Sequence, residues 1–152
     1  MAVLGIDPGL NKFGVAVIDV NKKIIYREIQ RLQDFDRQNS LSSEFIFNAL
    51  APVLQNIFNK FEVSNIALGD GTCSKNFEEA LKKFISANEK LSGISVHVIN
   101  EKHTTEAARA LYLECNPPAF PMSLLPSTLV PVSVEVDDLA AAAIALKYLK
   151  EL

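Results

Sequence analysis

At 152 residues, with 49% hydrophobic and 22% charged side chains, the chain has the composition of one globular domain, residues 1–152, able to bury about two-thirds of its unfolded surface. Its net charge of −3 excludes a general nucleic-acid coat, which would be basic, so any nucleic acid must be met locally, with cations offsetting an acidic centre. No apolar stretch reaches membrane-spanning length, no leader precedes the first strand, and Cys73 and Cys115 are too few for a disulfide framework or a zinc site, so a cytoplasmic protein with no membrane partner is expected.

An apolar run from Val3 to Ile6 delivers a carboxylate, Asp7, before Pro8 and Gly9 break the strand. A second run, Gly14 to Ile18, returns beside it as a hairpin, and Lys23 to Gln30 continues an antiparallel meander. Residues 31 to 40 are polar and read as a loop. From Ser42 or Ser43 to Phe61, apolar residues recur at helical spacing, with Pro52 predicting a kink or break. Val63 to Leu68 is a short strand ending at Gly69-Asp70-Gly71-Thr72. Asn76 with Glu79 three residues on predicts the start of a helix that runs to about Leu91. A strand over Ile94 to Ile99 then ends at Asn100-Glu101, and Thr104 or Thr105 caps a helix to about Glu114. Asn116 to Val134 holds five of the seven prolines and reads as a long loop; its apolar Phe120, Met122, Leu124 and Leu125 are open to covering the core, a homodimer contact or base stacking. The last helix, Asp137 to about Lys150, carries four alanines at 140 to 143, small enough for close packing on a sheet. The order predicts an α/β fold: a five-stranded mixed sheet, three strands in an antiparallel meander and two parallel ones, flanked by helices.

Asp7, Asp70 and Glu101 each follow directly on a short apolar strand, and the carboxyl ends of parallel strands form the binding edge of an open α/β sheet. Asp137 and Asp138 open the last helix, where carboxylates also suit the helix dipole. Several carboxylates at one edge repel each other unless a cation sits among them. Hard divalent ions prefer oxygen donors, and Mg²⁺ (or Mn²⁺) takes a few carboxylates plus phosphate oxygens. Two such ions support displacement at a phosphodiester. Lys12, Lys75, Lys102 and Arg109 flank the edge as candidate phosphate contacts, with His103 two residues past Glu101. Each is equally readable as a solvated surface group.

Three blocks carry a family resemblance: G-I-D-P-G-x-x-x-x-G-V-A-V at Gly5 to Val17, I-N-E-K-H-T-T-E-A at Ile99 to Ala107, and V-D-D-L-A-A-A at Val136 to Ala142. Together they resemble the YqgF family of RNase H-like nucleases, related to RuvC-type Holliday-junction resolvases. The resemblance implies an RNase H-like fold and a metal-dependent endonuclease acting on ribosomal-RNA precursor or junction-like DNA by a two-metal-ion mechanism. It also implies that Asp7, Glu101 and Asp137 hold the metal, with Asp137 preferred over Asp138. The loop Gly69 to Ser74 departs from the usual pattern and is closer to the YqgF-like domain of Tex, in which a non-catalytic nucleic-acid-binding role is the alternative. Asp70 is accordingly either a further catalytic acid or a polar loop residue. No Lys or Arg occurs between Arg109 and Lys147, which argues against a phosphate clamp in the loop before the last acids. The first block also resembles the phosphate hairpin of sugar kinases and actin-like ATPases, but 152 residues are too few for that two-domain architecture.

Overall fold

The computed structural model describes residues 1–32, 42–102, 104–126 and 129–151. Strand β1 (Ala2–Asp7) runs down the middle of a five-stranded sheet. On one side it pairs antiparallel with β2 (Lys12–Asp19), which pairs antiparallel with β3 (Ile24–Arg31) at the edge. On the other side it pairs parallel with β4 (Val63–Gly69), itself parallel to β5 (Ser95–Ile99). The meander and the two parallel strands are those the sequence predicts, in the order β3-β2-β1-β4-β5.

Side chains alternate across a strand, so each strand serves two layers. Leu4, Ile6, Val15, Val17, Ile66 and Leu68 pack beneath α1 (Ser43–Lys60) and α2 (Ser74–Ser86), around Ile46, Leu50, Leu54, Phe77 and Leu81. Val3, Ala16, Ile18, Ala67 and Ile99 face the other way, against Ala141, Ile144, Ala145 and Tyr148 of α4 (Asp137–Glu151). Coverage of both faces explains why β1 and β2 read as near-continuous apolar runs. Helix α3 (Thr104–Cys115) lies beside α4 through Ala108, Leu139 and Ala140.

Two glycines set how closely α4 approaches. A Cβ on Gly5 would stand 1.9 Å from the Ala141 carbonyl oxygen, and one on Gly14 would stand 2.0 Å from that of Asp137. The helix backbone therefore rests on strand backbone, which fixes the position of its first residue over the end of β1. The alanine run completes the contact, with Ala141, Ala142 and Ala145 fully buried.

Several sequence expectations are corrected. Helix α1 passes through Pro52 unbroken. Proline removes the hydrogen bond to the carbonyl four residues back, but Pro52 and Asn48 are both exposed, so water can serve that carbonyl. Helix α2 begins at Ser74 rather than at Asn76, because the Gly71 and Cys73 carbonyls already accept from the amides of Ser74 and Asn76. It ends at Ser86, and the stretch to Leu91 is closed by a separate 3-10 turn, Glu89–Leu91. The meander's last strand extends to Arg31, and most of the predicted polar loop, from residue 33 onward, lies outside the described residues. A 3-10 turn, Met122–Leu124, interrupts the proline-rich loop, and Phe120 and Leu124 are 80% and 75% exposed rather than covering the core.

Candidate functional site

Strand parity decides which side chains can meet. Val3 and Gly5 face α4, so Asp7, next in that register, does too. Gly14, directly opposite Asp7 in β2, faces α4, and so does Lys12 two residues before it. In β4 and β5 the same face carries Ala67 and Ile99, hence Gly69 and, two residues past the strand end, Glu101. The C-terminal ends of three strands and the N-terminus of α4 thus deliver Asp7, Glu101 and Asp137 to one edge.

Asp7 is mostly buried. Its carboxyl is pushed up to about 7, chiefly by burial, then by the negative charges of Glu101 and Asp137, with Lys12 opposing. Glu101 is held by four hydrogen bonds. Asp70 Oδ1 accepts from the Glu101 amide at 2.8 Å, and Glu101 Oε1 accepts from the Gly71 amide at 3.2 Å. The Thr104 amide and hydroxyl both donate to the Glu101 carbonyl, at 2.9 and 2.7 Å. A Cβ on Gly69 would sit 2.0 Å from Glu101 Oε1, so glycine at the end of β4 leaves room for the side chain in this position. Burial raises the Glu101 carboxyl above its usual range, the Gly71 hydrogen bond opposes this, and Asp70 adds repulsion. Asp70 itself is exposed and turned onto the Glu101 backbone.

The two aspartates of α4 diverge. Asp137 Oδ2 lies 2.7 Å from Lys12 Nζ and acts on Asp7 through its charge. Asp138 reaches toward β3, where Arg27 Nη1 donates to it at 3.1 Å, and its other oxygen accepts from the Leu139 amide. Glu135, just before the helix, takes Lys12 Nζ at 3.3 Å and Arg31 Nη2 at 2.8 and 2.9 Å. The sequence reading passed over Glu135, Arg27 and Arg31. Spacing was the available signal: Arg27 and Arg31 are four apart on one strand, and Glu135 is two before Asp137 in V-S-V-E-V-D.

The candidate phosphate-binding residues fare differently. Lys12 is engaged by Asp137 and Glu135, and the Asp137 hydrogen bond is the main reason its ammonium is held above the ordinary lysine range. Lys75 and Lys102 are exposed, the latter adjoining Glu101. Arg109 turns inward, donating from Nη2 to the Val130 carbonyl, while its buried Nε has no hydrogen-bond partner among the described residues. It thereby fastens the segment that leads into α4. His103 lies outside the described residues.

Among the described residues, no three His, Cys, Asp or Glu side chains are grouped closely enough to enclose an ion as they stand. Asp137 is drawn to Lys12 and Glu101 to Gly71. The donor chemistry nevertheless fits a hard divalent cation. Every donor is a carboxylate oxygen, and the Asp7 carboxyl, raised chiefly by burial, is raised further by the charges of Glu101 and Asp137.

A family model described as "Tex protein YqgF-like domain" matches residues 1–108, which hold Asp7, Asp70 and Glu101 but not α4. No curated protein gives a match. Among solved structures, RuvC of T. thermophilus, determined in complex with Holliday junction substrate, superposes with a TM-score of 0.57 at 20% identity, covering 96% of this chain and 90% of that one. The fowlpox virus Holliday junction resolvase superposes with a TM-score of 0.60 at 14% identity over 100% of both chains. At such identities the shared property is the RuvC-like RNase H fold. With the family match spanning most of the sequence, including the Gly69 to Ser74 loop, the chain belongs to the family of Tex protein YqgF-like domains.

Proposed function

We propose that the chain is a divalent-metal-dependent endonuclease that hydrolyses phosphodiester bonds in structured nucleic acid, either branched DNA of the Holliday-junction kind or ribosomal-RNA precursor. The observation that carries this reading is the set of three carboxylates brought from β1, β5 and α4 to one edge, where the charges of Glu101 and Asp137 both act on the mostly buried Asp7. Asp7, Glu101 and Asp137 would hold Mg²⁺ or Mn²⁺, two ions in the reading that the family suggests. When bound, such ions neutralise the phosphate and make water a better nucleophile. The chain's own contribution is placement. Asp7 offers a carboxylate that must lose its proton to serve as a ligand. Asp70 and Thr104 fix the Glu101 backbone, and the Gly71 amide donates to its carboxylate. Lys75 and Lys102, both exposed, are available to phosphate oxygens. The RuvC structure solved with Holliday junction substrate supports a branched nucleic acid as the partner.

A homodimer contact through the exposed Phe120 and Leu124 belongs to the same reading. So does a cytoplasmic location, which suits two free thiols, one of them the exposed Cys115. No helix among the described residues is long and apolar enough to cross a membrane.

One observation favours a second reading, a non-catalytic nucleic-acid-binding module: the Lys12 ammonium already occupies Asp137. A cleavage assay separates the two. Four-way junctions and ribosomal-RNA precursors are incubated with the protein in Mg²⁺ or chelator, wild type beside Glu101→Gln. The nuclease reading expects metal-stimulated cleavage that falls at least about a hundredfold in the variant, the scale of losing several kcal/mol of charge stabilisation. Binding without cleavage in either protein would establish the module instead.

A further inference from the structure

We propose that Lys12 is a resident cation of the acidic edge, neutralising Asp137 in the metal-free protein and passing to Glu135 when a divalent ion enters. This rests on the reading that Asp7, Glu101 and Asp137 receive such an ion. Lys12 begins β2 on the face that α4 covers, two residues from Gly14, which stands opposite Asp7. Its ammonium is 2.7 Å from Asp137 Oδ2 and 3.3 Å from Glu135 Oε1, so both acceptors are within reach of a small rotation. Glu135 is anchored by Arg31 at 2.8 and 2.9 Å, which makes it a fixed resting place rather than a wandering side chain. Arg31 is also the register partner of Lys12 across β2 and β3, so the two cations and Glu135 share one corner of the sheet.

A divalent ion and an ammonium compete for the same Asp137 carboxylate and repel each other at close range. Lys12 therefore weakens metal uptake, and Glu135 lessens that effect by taking the ammonium away. The partly exposed setting of these groups, 27% for Lys12, 26% for Asp137 and 43% for Glu135, keeps the exchange within solvent-screened energies. An effect of roughly five- to tenfold on affinity is expected, the scale of one partly exposed ion pair.

Calorimetric titration of the full chain with MnCl₂ at pH 8, without nucleic acid, tests this on wild type, Lys12→Met, Glu135→Gln and the double variant. Lys12→Met should bind Mn²⁺ five- to tenfold more tightly. Glu135→Gln should bind it several-fold more weakly, and that loss should vanish in the Lys12→Met background, as a double-mutant cycle requires of residues acting through one another. Unchanged or weaker binding by Lys12→Met overturns the proposal, as does absence of Mn²⁺ uptake by both wild type and Lys12→Met. A Glu135→Gln loss that persists without Lys12 overturns the hand-over, since Glu135 would then act by its own charge. Because no cleavage is measured, a protein that shows this order of affinities yet cuts nothing keeps the inference and loses the nuclease reading.

Discussion

Asp7→Asn should abolish metal-stimulated cleavage and at the same time make the metal-free protein more stable at neutral pH. The two effects share a cause. A carboxyl whose ordinary value is 3.8 stands at about 7 in the fold, because burial and two neighbouring acids disfavour its charge. The folded state therefore holds a proton that the unfolded chain has released. The sign follows: below about pH 4 both states are protonated and nothing is lost. Stability falls as pH rises from there to about 7, and above that the penalty is constant. Its size at neutral pH is of order 4 kcal/mol from that difference in affinity for the proton. Asparagine is still a buried polar group, so a gain of roughly 2–4 kcal/mol is expected, or on the order of 5–10 °C in melting temperature for a chain of this length. Thermal melts in chelator from pH 4 to 8 read this directly: the wild type should lose stability across that range relative to Asp7→Asn. Cleavage at pH 8 in Mg²⁺ should fall at least about a hundredfold. Opposite changes in stability and activity are the mark of a residue retained for function.

Gly5→Ala should produce the largest purely structural loss. The new methyl would lie 1.9 Å from the Ala141 carbonyl oxygen and 3.0 Å from the Ala145 Cβ. The nearer obstacle is helix backbone, which no rotamer change can move aside. Either α4 lifts from the sheet or β1 bends, at a cost of about 3 kcal/mol or more, roughly 10 °C in melting temperature. Lifting α4 would also carry Asp137 away from Asp7, so Mn²⁺ affinity should fall with the melting temperature. Gly93→Ala is the matched control: its Cβ would meet nothing within 4 Å, and its effect should stay within about 0.5 kcal/mol. A Gly5→Ala protein as stable as Gly93→Ala would mean that α4 does not rest on β1 as described.

The sheet was legible because its signals are local. Apolar runs punctuated by Pro8-Gly9, Asn21-Lys22 and Gly69-Asp70-Gly71 mark where strands end, and the meander follows from short connections. Three acids at strand ends on one edge were likewise readable, since parallel order alone delivers them there. What failed depended on partners that no local pattern contains. Pro52 looked like a break, yet the helix around it is held by Leu50, Val53 and Leu54 on the buried side while the proline faces water. Asn76 looked like a cap because its spacing to Glu79 is right, but backbone carbonyls in the preceding turn start the helix earlier. Arg109 looked like a phosphate contact from its position after Glu101; the structure commits it to the Val130 carbonyl, 21 residues on. The choice between Asp137 and Asp138 needed Arg27 and Lys12, which lie on different strands and on either side of Gly14.

The most direct test is a crystal structure of the protein soaked in MnCl₂, with the ion located by its anomalous scattering. The account predicts manganese coordinated by Asp7 together with Glu101 or Asp137, with Glu101 still seated on Gly71 or turned from it toward the ion. Manganese found only elsewhere on the surface, with Asp7 bound to no ion at saturating concentration, would contradict it.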